Sequence, residues 1–152
     1  FYAVDRFASY KLDWGKDYEN GTLILADRYA TSNSIYQMEK IDEDKWDEYL
    51  DWSADFEYNK IGIPRPDLVI FLDMPVDVSQ KLMTSRYNGE EKKKDVHEAN
   101  VDFLNNCRKS ALYTAKKQGW AVVPCSDGIN PLPIKEIHNT ILDFVKKELK
   151  EK

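Results

Sequence analysis

An acid, an arginine and a row of polar side chains follow one short apolar run near the start of this chain. Residues 27–37 read DRYATSNSIYQ, directly after the run TLILA at 22–26. The planar fork of N–H donors on Arg28 fits a phosphate, and the side-chain amides of Asn33 and Gln37 can read the edge of a base. These residue types predict a site for a phosphorylated ligand that carries a base. An Asp-Arg pair that only caps a strand is the alternative.

An aromatic ring and a second arginine precede this segment. Tyr2 supplies the ring and Arg6 the donor. An aromatic face beside a donor can hold a flat heterocycle, which favours the ligand-binding interpretation. Taken alone, Tyr2 at helical spacing is better explained by packing in the core.

Apolar patterning predicts an α/β fold that would position these residues. Strands are predicted at 22–26, 68–72 and 120–124, and helices at 1–18, 34–38, 42–59, 76–86, 96–118 and 133–150. The first run is apolar on both faces, which is typical of a parallel sheet covered by helices. Asp27 and Asp73 each end a predicted strand, at the edge where such sheets bind ligands.

Two helices have predicted inner stripes. The stripe of the helix at 42–59 is Trp46, Tyr49, Leu50 and Phe56, and that of the last helix is Ile134, Ile137, Ile141, Phe144 and Val145.

Composition limits the classes of function. The 152 residues are 42% hydrophobic and 32% charged, which predicts a single domain over 1–152. The net charge of −5 disfavours nucleic acid or an anionic membrane as a partner. Cys107 and Cys125 lie far apart without metal-ligand spacing, so we expect buried free thiols and a cytoplasmic protein.

The glycines exclude one phosphate-binding motif from the chain. No two of the six are five residues apart, so G-x-x-x-x-G-K does not occur. The chain also opens on Phe1 within an amphipathic segment, and we expect its amino terminus to be cut rather than natural.

Four segments together resemble the thymidylate kinase family. Residues 27–37 resemble its D-R-[YFH]-x-x-S-x-x-A-Y-Q signature, and residues 2–6 resemble the F-A-x-D-R element. Residues 65–73 resemble the P-D-L-x-x-x-L-D strand, and residues 95–98 resemble the D-x-x-E after the lid. The order and spacing of all four motifs agree with the family over essentially the whole chain.

The resemblance implies a P-loop kinase fold, a three-layer α/β/α arrangement with a parallel sheet, here incomplete at the amino terminus. It implies transfer of the γ-phosphoryl group of ATP to deoxythymidine monophosphate (dTMP) with Mg²⁺, a homodimer, and a lid at about 87–95. Without a phosphate loop, we expect the 152-residue chain alone to be inactive.

The resemblance also implies roles for single residues. Arg28 matches the arginine that grips the acceptor phosphate, Asp27 the acid that contacts magnesium through water, and Arg86 a lid arginine that reaches the transferring phosphates. Tyr2 would stack on thymine, Arg6 would donate to a thymine carbonyl, and Tyr36 would lie under the sugar. The implied substrate-binding set is Tyr2, Arg6, Arg28, Ser32, Asn33, Tyr36, Gln37 and Glu98.

Two other functions remain open. A deoxynucleoside kinase shares the fold and an acid-arginine motif, but its acceptor is a hydroxyl. A non-catalytic nucleotide-binding or dimerisation module would keep the acceptor pocket without the phosphate loop.

Overall fold

The computed structural model describes residues 1–86 and 100–151. They form two compact units, Phe1–Pro66 and Asp67–Lys152. The predicted lid, Glu98 and the first residues of the helix predicted at 96–118 lie outside the described residues.

The first unit begins with the predicted amino-terminal helix. α1 (Tyr2–Ser9), a π-helical segment (Tyr10–Trp14) and α2 (Gly15–Glu19) follow one another without a break. A Cβ atom on Gly15 would lie 2.9 Å from the ring of Tyr10, so only glycine lets this ring pack against the helix. The helix ends before Gly21, whose φ of 83° is left-handed.

Shorter helices complete the first unit. They are α3 (Ser32–Tyr36), two 3₁₀ turns (Met38–Lys40 and Glu43–Lys45), α4 (Trp46–Ala54) and a π-helical segment (Asp55–Ile61). The helices predicted at 34–38 and 42–59 are therefore confirmed with shifted ends. Gly62 ends the last of them with a φ of 81°.

Two apolar clusters hold the first unit together. One is built on Tyr10, Ala30 and Ile63, and the other on Met38, Trp46 and Leu50. The indole N–H of Trp46 donates to the backbone oxygens of Met38 and Ile41, so its buried polar atom is satisfied. The predicted inner positions Trp46 and Leu50 are confirmed, and Tyr49 packs against them.

The strand predicted at 22–26 is wrong. These residues have neither strand nor helix hydrogen bonding, and Leu25 is 91% exposed. A strand forms only where a neighbouring strand accepts and donates its backbone hydrogen bonds, and within the described residues no segment pairs with this one. The β-branched and apolar residues of this segment therefore do not form a strand, although their types favour one.

The second unit is a parallel β-α-β arrangement, which confirms the predicted α/β class. Its elements are β1 (Ile70–Asp73), α5 (Val76–Arg86), α6 (Val101–Gln118), β2 (Ala121–Pro124) and α7 (Ile134–Glu151). β1 and β2 pair in parallel, with Ile70 opposite Ala121 and Asp73 opposite Pro124. α6 packs against β1 and α7 against β2.

Burial in the second unit agrees with most of the predicted stripe of α7. Ile137, Ile141, Phe144 and Val145 are half-buried. Ile134 is 87% exposed, so its predicted inward position is wrong. It is the first residue of α7, and no earlier turn of that helix covers its side chain. Cys107 and Cys125 are buried free thiols, as predicted. Among the described helices, none has the length and apolarity needed to cross a membrane.

Candidate functional site

Arg28 has an uncommon backbone conformation. Its φ is 69°, and among residues 1–86 and 100–151 it is the one non-glycine residue with a positive φ. The left-handed region costs a residue with a side chain roughly 1 kcal/mol, and residues held there concentrate at ligand-binding and catalytic sites. The conformation marks Arg28 as a candidate functional residue.

The guanidinium of Arg28 is held against α3 by two contacts. Its Cζ lies 4.6 Å from the ring centroid of Tyr36, and its Nε donates to Oγ of Ser32 over 3.4 Å. Ser32 and Tyr36 lie one helical turn apart and so share a face of α3. The contact to Ser32 uses only Nε, so the terminal nitrogens Nη1 and Nη2 can donate to an anion.

Glu57 is a carboxylate inside the first unit. It is 2% exposed, and both of its oxygens contact Arg6: Oε1 pairs with Nη2, and Oε2 accepts from Nε over 3.4 Å. Oε1 also accepts from Nδ2 of Asn33 at 2.8 Å. A buried carboxylate is tolerated only when it is paired and hydrogen-bonded, so these three side chains depend on one another.

These contacts join into one polar cluster. Ser32 and Asn33 are consecutive in α3, so the contacts run from Arg28 through Ser32 and Asn33 to Glu57 and Arg6. The structure therefore brings together in one unit five of the residues that the sequence singled out; they are Arg6, Arg28, Ser32, Asn33 and Tyr36.

Glu57 was missed by reasoning from the sequence. It lies in an acidic stretch whose other carboxylates are solvated, such as Asp55, which pairs with Lys60 at the surface. One signal was present: Glu57 follows Leu50 by seven residues, so it lies on the inner side of the helix two turns later. A charge at an inner position needs a buried partner, and Arg6 was already a candidate.

Two tyrosines beside the cluster keep their protons. The hydroxyl of Tyr29 donates to the backbone oxygen of Pro64 at 2.9 Å, and burial, aided by Tyr58 and Glu57, raises the pKa of Tyr29. Burial also raises the pKa of Tyr58, whose ring centroid lies 4.5 Å from Cζ of Arg65. Both phenols are therefore neutral donors at physiological pH.

The other predicted site residues are less constrained. Tyr2 is 75% exposed on α1, and the oxygen of the Gln37 side chain accepts from Nζ of Lys40 at 3.4 Å. Asp27 is exposed next to Arg28, and Arg86 is the exposed last residue of α5 in the second unit. Glu98 is not among the described residues.

The described residues fit only a limited role in binding a metal ion. Within 1–86 and 100–151, no group of three or more His, Cys, Asp or Glu residues could hold one. Mg²⁺ commonly keeps several waters and takes one or two carboxylates plus the phosphates of a substrate. The exposed carboxylate of Asp27 fits such a contribution through water.

The carboxylate that ends β1 in the second unit has a structural partner. Asp73 accepts from Arg108 through two parallel hydrogen bonds, Nε to Oδ1 at 2.6 Å and Nη2 to Oδ2 at 2.9 Å. This bidentate pair ties β1 to α6.

The loop after β2 is ordered by its own side chains. Asp127 Oδ1 accepts from the backbone N–H groups of Asn130 and Ile129, and these bonds lower the pKa of Asp127. Ser126 Oγ donates to the backbone oxygen of Asn130 at 2.8 Å. The loop thus has a defined shape of its own.

Comparison with known proteins gives one consistent match. The sequence model of the thymidylate kinase family matches residues 1–141. A probable thymidylate kinase from Thermococcus onnurineus is 30% identical over 86% of this chain and 55% of the relative. Probable thymidylate kinase 1 from Saccharolobus solfataricus is 27% identical over 97% of this chain and 66% of the relative. A thymidylate kinase from Thermosipho melanesiensis is 30% identical over 82% of this chain and 59% of the relative. The chain thus spans between 55% and 66% of the length of these relatives.

Proposed function

The chain belongs to the thymidylate kinase family, and we propose that the complete protein carrying it phosphorylates dTMP to the diphosphate with MgATP. The family has the P-loop kinase fold, to which the α/β class of the second unit conforms. Because the chain spans about three fifths of the length of its relatives, the activity, substrates and partners are proposed for the complete protein.

The observation that carries this proposal is the arrangement of Arg28. Its guanidinium lies over the ring of Tyr36, and its contact with Ser32 uses Nε, which leaves the terminal nitrogens to bind an anion. We infer that this fork binds the phosphate of dTMP and brings one of its oxygens to the γ-phosphorus of ATP. That oxygen forms the new P–O bond while the bond to the β-bridging oxygen breaks and ADP leaves; positioning and charge neutralisation supply most of the catalysis.

Most of the remaining substrate contacts are assigned to residues of the first unit. Arg6 and Asn33 would meet the base edge, with Ser32 and Gln37 nearby, and Tyr2 would stack on the base. Tyr36 would lie under the deoxyribose and exclude a ribose hydroxyl. Support for the roles of Arg6 and Asn33 comes from their hydrogen bonds to Glu57, which hold both side chains in place. Glu98, which matches the acidic residue of the D-x-x-E motif, would lie beside the deoxyribose.

Two residues are assigned to the transferring phosphates. Bound Mg²⁺ supplies positive charge to the phosphates, and Asp27 would contact it through water. Arg86, at the exposed end of α5, would donate to the phosphates from the lid side. Both assignments rest on the match of these positions to the family motifs.

Assembly and location belong to the same proposal. We expect a homodimer, which the mass of the complete protein in solution would test. We also expect a cytoplasmic protein, since two buried free thiols suit a reducing compartment.

The deciding experiment is an assay of the complete protein with MgATP and either dTMP or deoxythymidine. We expect the diphosphate from dTMP and no product from the nucleoside. Phosphorylation of deoxythymidine alone would favour a deoxynucleoside kinase. Binding of dTMP without any ATP turnover would favour a non-catalytic nucleotide-binding module.

A further inference from the structure

Glu57 determines which way the amide of Asn33 faces. An ionised carboxylate only accepts hydrogen bonds, so the 2.8 Å contact must be made by the NH₂ group of Asn33. The amide is planar, and its oxygen therefore points away from Glu57. Asn33 thus presents Oδ1, an acceptor, to whatever lies on its other side.

Glu57 also determines which donors Arg6 can offer. The carboxylate takes Nε and Nη2 of the guanidinium, on one edge of the planar group. Within the described part of the chain, Nη1 has no hydrogen-bond partner, so its two N–H groups remain to be used. Arg6 has no acceptor atom, and its free edge is a donor under all conditions.

We propose that Glu57 is a positioning residue that sets the hydrogen-bonding pattern of the base pocket, and that this pattern selects a 4-oxo pyrimidine over a 4-amino pyrimidine. This inference rests on the proposed function. Thymine and uracil present an O4 acceptor and an N3–H donor, which complement the donor of Arg6 and the acceptor of Asn33. Cytosine presents an amino donor and an N3 acceptor, so donor would face donor and acceptor would face acceptor.

A purely structural role for Glu57 predicts something different. Glu57 links α1, α3 and the 55–61 segment, so its loss could loosen the whole unit. Such loosening would weaken the binding of every pyrimidine nucleotide to the same extent. A change in the ratio between two bases is therefore the readout that separates the two roles.

The test is Glu57→Gln in the complete protein, with kcat/KM measured for dTMP, deoxyuridine monophosphate (dUMP) and deoxycytidine monophosphate (dCMP). Glutamine has its own NH₂ group, which can donate to Oδ1 of Asn33 and so let the amide reverse. We expect the dTMP-to-dCMP ratio to fall about tenfold or more, while dUMP, which has the same edge as dTMP, changes in parallel with it. The matched control is Asp55→Asn, which removes a carboxylate on the same segment where it faces solvent and Lys60, and should leave the ratio unchanged.

Each outcome decides something. A folded Glu57→Gln protein with the native ratio overturns the inference but leaves the proposed function intact. If Glu57→Gln does not fold, Glu57→Asp replaces it, since aspartate is also a carboxylate that only accepts hydrogen bonds. Its dTMP-to-dCMP ratio of kcat/KM should stay within about threefold of the native ratio even where its rate falls. A larger fall in that ratio overturns the inference. If the complete protein shows no turnover, calorimetric binding of dTMP and dCMP replaces kcat/KM. If binding then shows a preference for dTMP that depends on Glu57, only the proposed function is contradicted. If binding shows no such preference, the proposed function and the inference about Glu57 are both contradicted.

Discussion

The guanidinium of Arg28 is stacked on the ring of Tyr36, with 4.6 Å between Cζ and the ring centroid. The negative face of an aromatic ring attracts a cation, and the contact limits the rotamers that this long side chain can adopt. Since Arg28 also has its backbone confined to a left-handed conformation, much of the entropy needed to order its fork is lost before a ligand binds. Arg28 and Tyr36 should therefore act together.

Replacing Arg28 tests the phosphate-binding role. We expect Arg28→Ala in the complete protein to lower kcat for dTMP phosphorylation by about 100-fold or more, because the phosphate of dTMP would lose a charged bidentate donor. Steady-state kinetics would measure it. Arg65→Ala is the matched control, since Arg65 makes the same kind of contact with Tyr58 at 4.5 Å. Similar losses in both variants would contradict a specific role for Arg28.

Tyr36 contacts Arg28, and we have proposed that it also excludes a ribose hydroxyl; its variants can separate these two roles. Tyr36→Phe keeps the ring under Arg28 and should preserve most of the rate. Tyr36→Ala removes the ring, and we expect selectivity for dTMP over the ribosyl form to fall about tenfold. Competition between the two nucleotides in one reaction would measure selectivity. Unchanged discrimination in Tyr36→Ala would show that Tyr36 does not exclude the ribose hydroxyl.

Removal of Glu57 should also lower the stability of the protein. Glu57→Ala leaves Arg6, whose side chain is 16% exposed, without its carboxylate. We expect the free energy of unfolding to fall by about 3 kcal/mol, the usual consequence of breaking a buried ion pair from one side. Urea denaturation would measure it. Asp55→Ala, which breaks the exposed pair with Lys60, should change stability little; equal effects would mean that burial is not the cause.

The bidentate pair of Arg108 with Asp73 should contribute less to stability than the buried pair of Glu57. Both side chains are partly exposed, at 35% and 18%, so solvent screens the attraction. Arg108→Ala should lower the free energy of unfolding by about 1 kcal/mol. Arg108→Lys should recover only part of it, because a lysine cannot make two parallel bonds. Full recovery by lysine would argue against the bidentate geometry; Lys116→Ala on α6 serves as the control.

Tyr29 predicts a loss of stability in alkaline solution. Its pKa is raised above the ordinary 10.0 in the folded protein, chiefly by burial. The folded state therefore retains a proton that the unfolded chain releases, so this contribution is complete below pH 10 and declines as the pH rises above it. Tyr29→Phe should flatten the decline in denaturation experiments between about pH 10 and 12. The slope is the relevant quantity, since the variant also loses the bond to Pro64; an unchanged slope would contradict the prediction.

Local patterning predicted the helices well. Apolar spacing predicted the helical regions, and α5 has the bounds that its pattern predicted. Helices depend on hydrogen bonds and side-chain contacts within a few residues, so the information lies in the segment itself. The residues at 22–26 show the limit, because a strand depends on a partner elsewhere.

By itself, the sequence determined the α/β class, the family motifs and the types of residue that could bind a nucleotide. Only the tertiary structure decided that Glu57, among many carboxylates, lies inside the unit and orients Arg6 and Asn33, 51 and 24 residues away along the chain. Hydrogen-bond direction depends on which groups meet in space. A residue's type records what it can donate or accept, and its neighbours determine which of these it does.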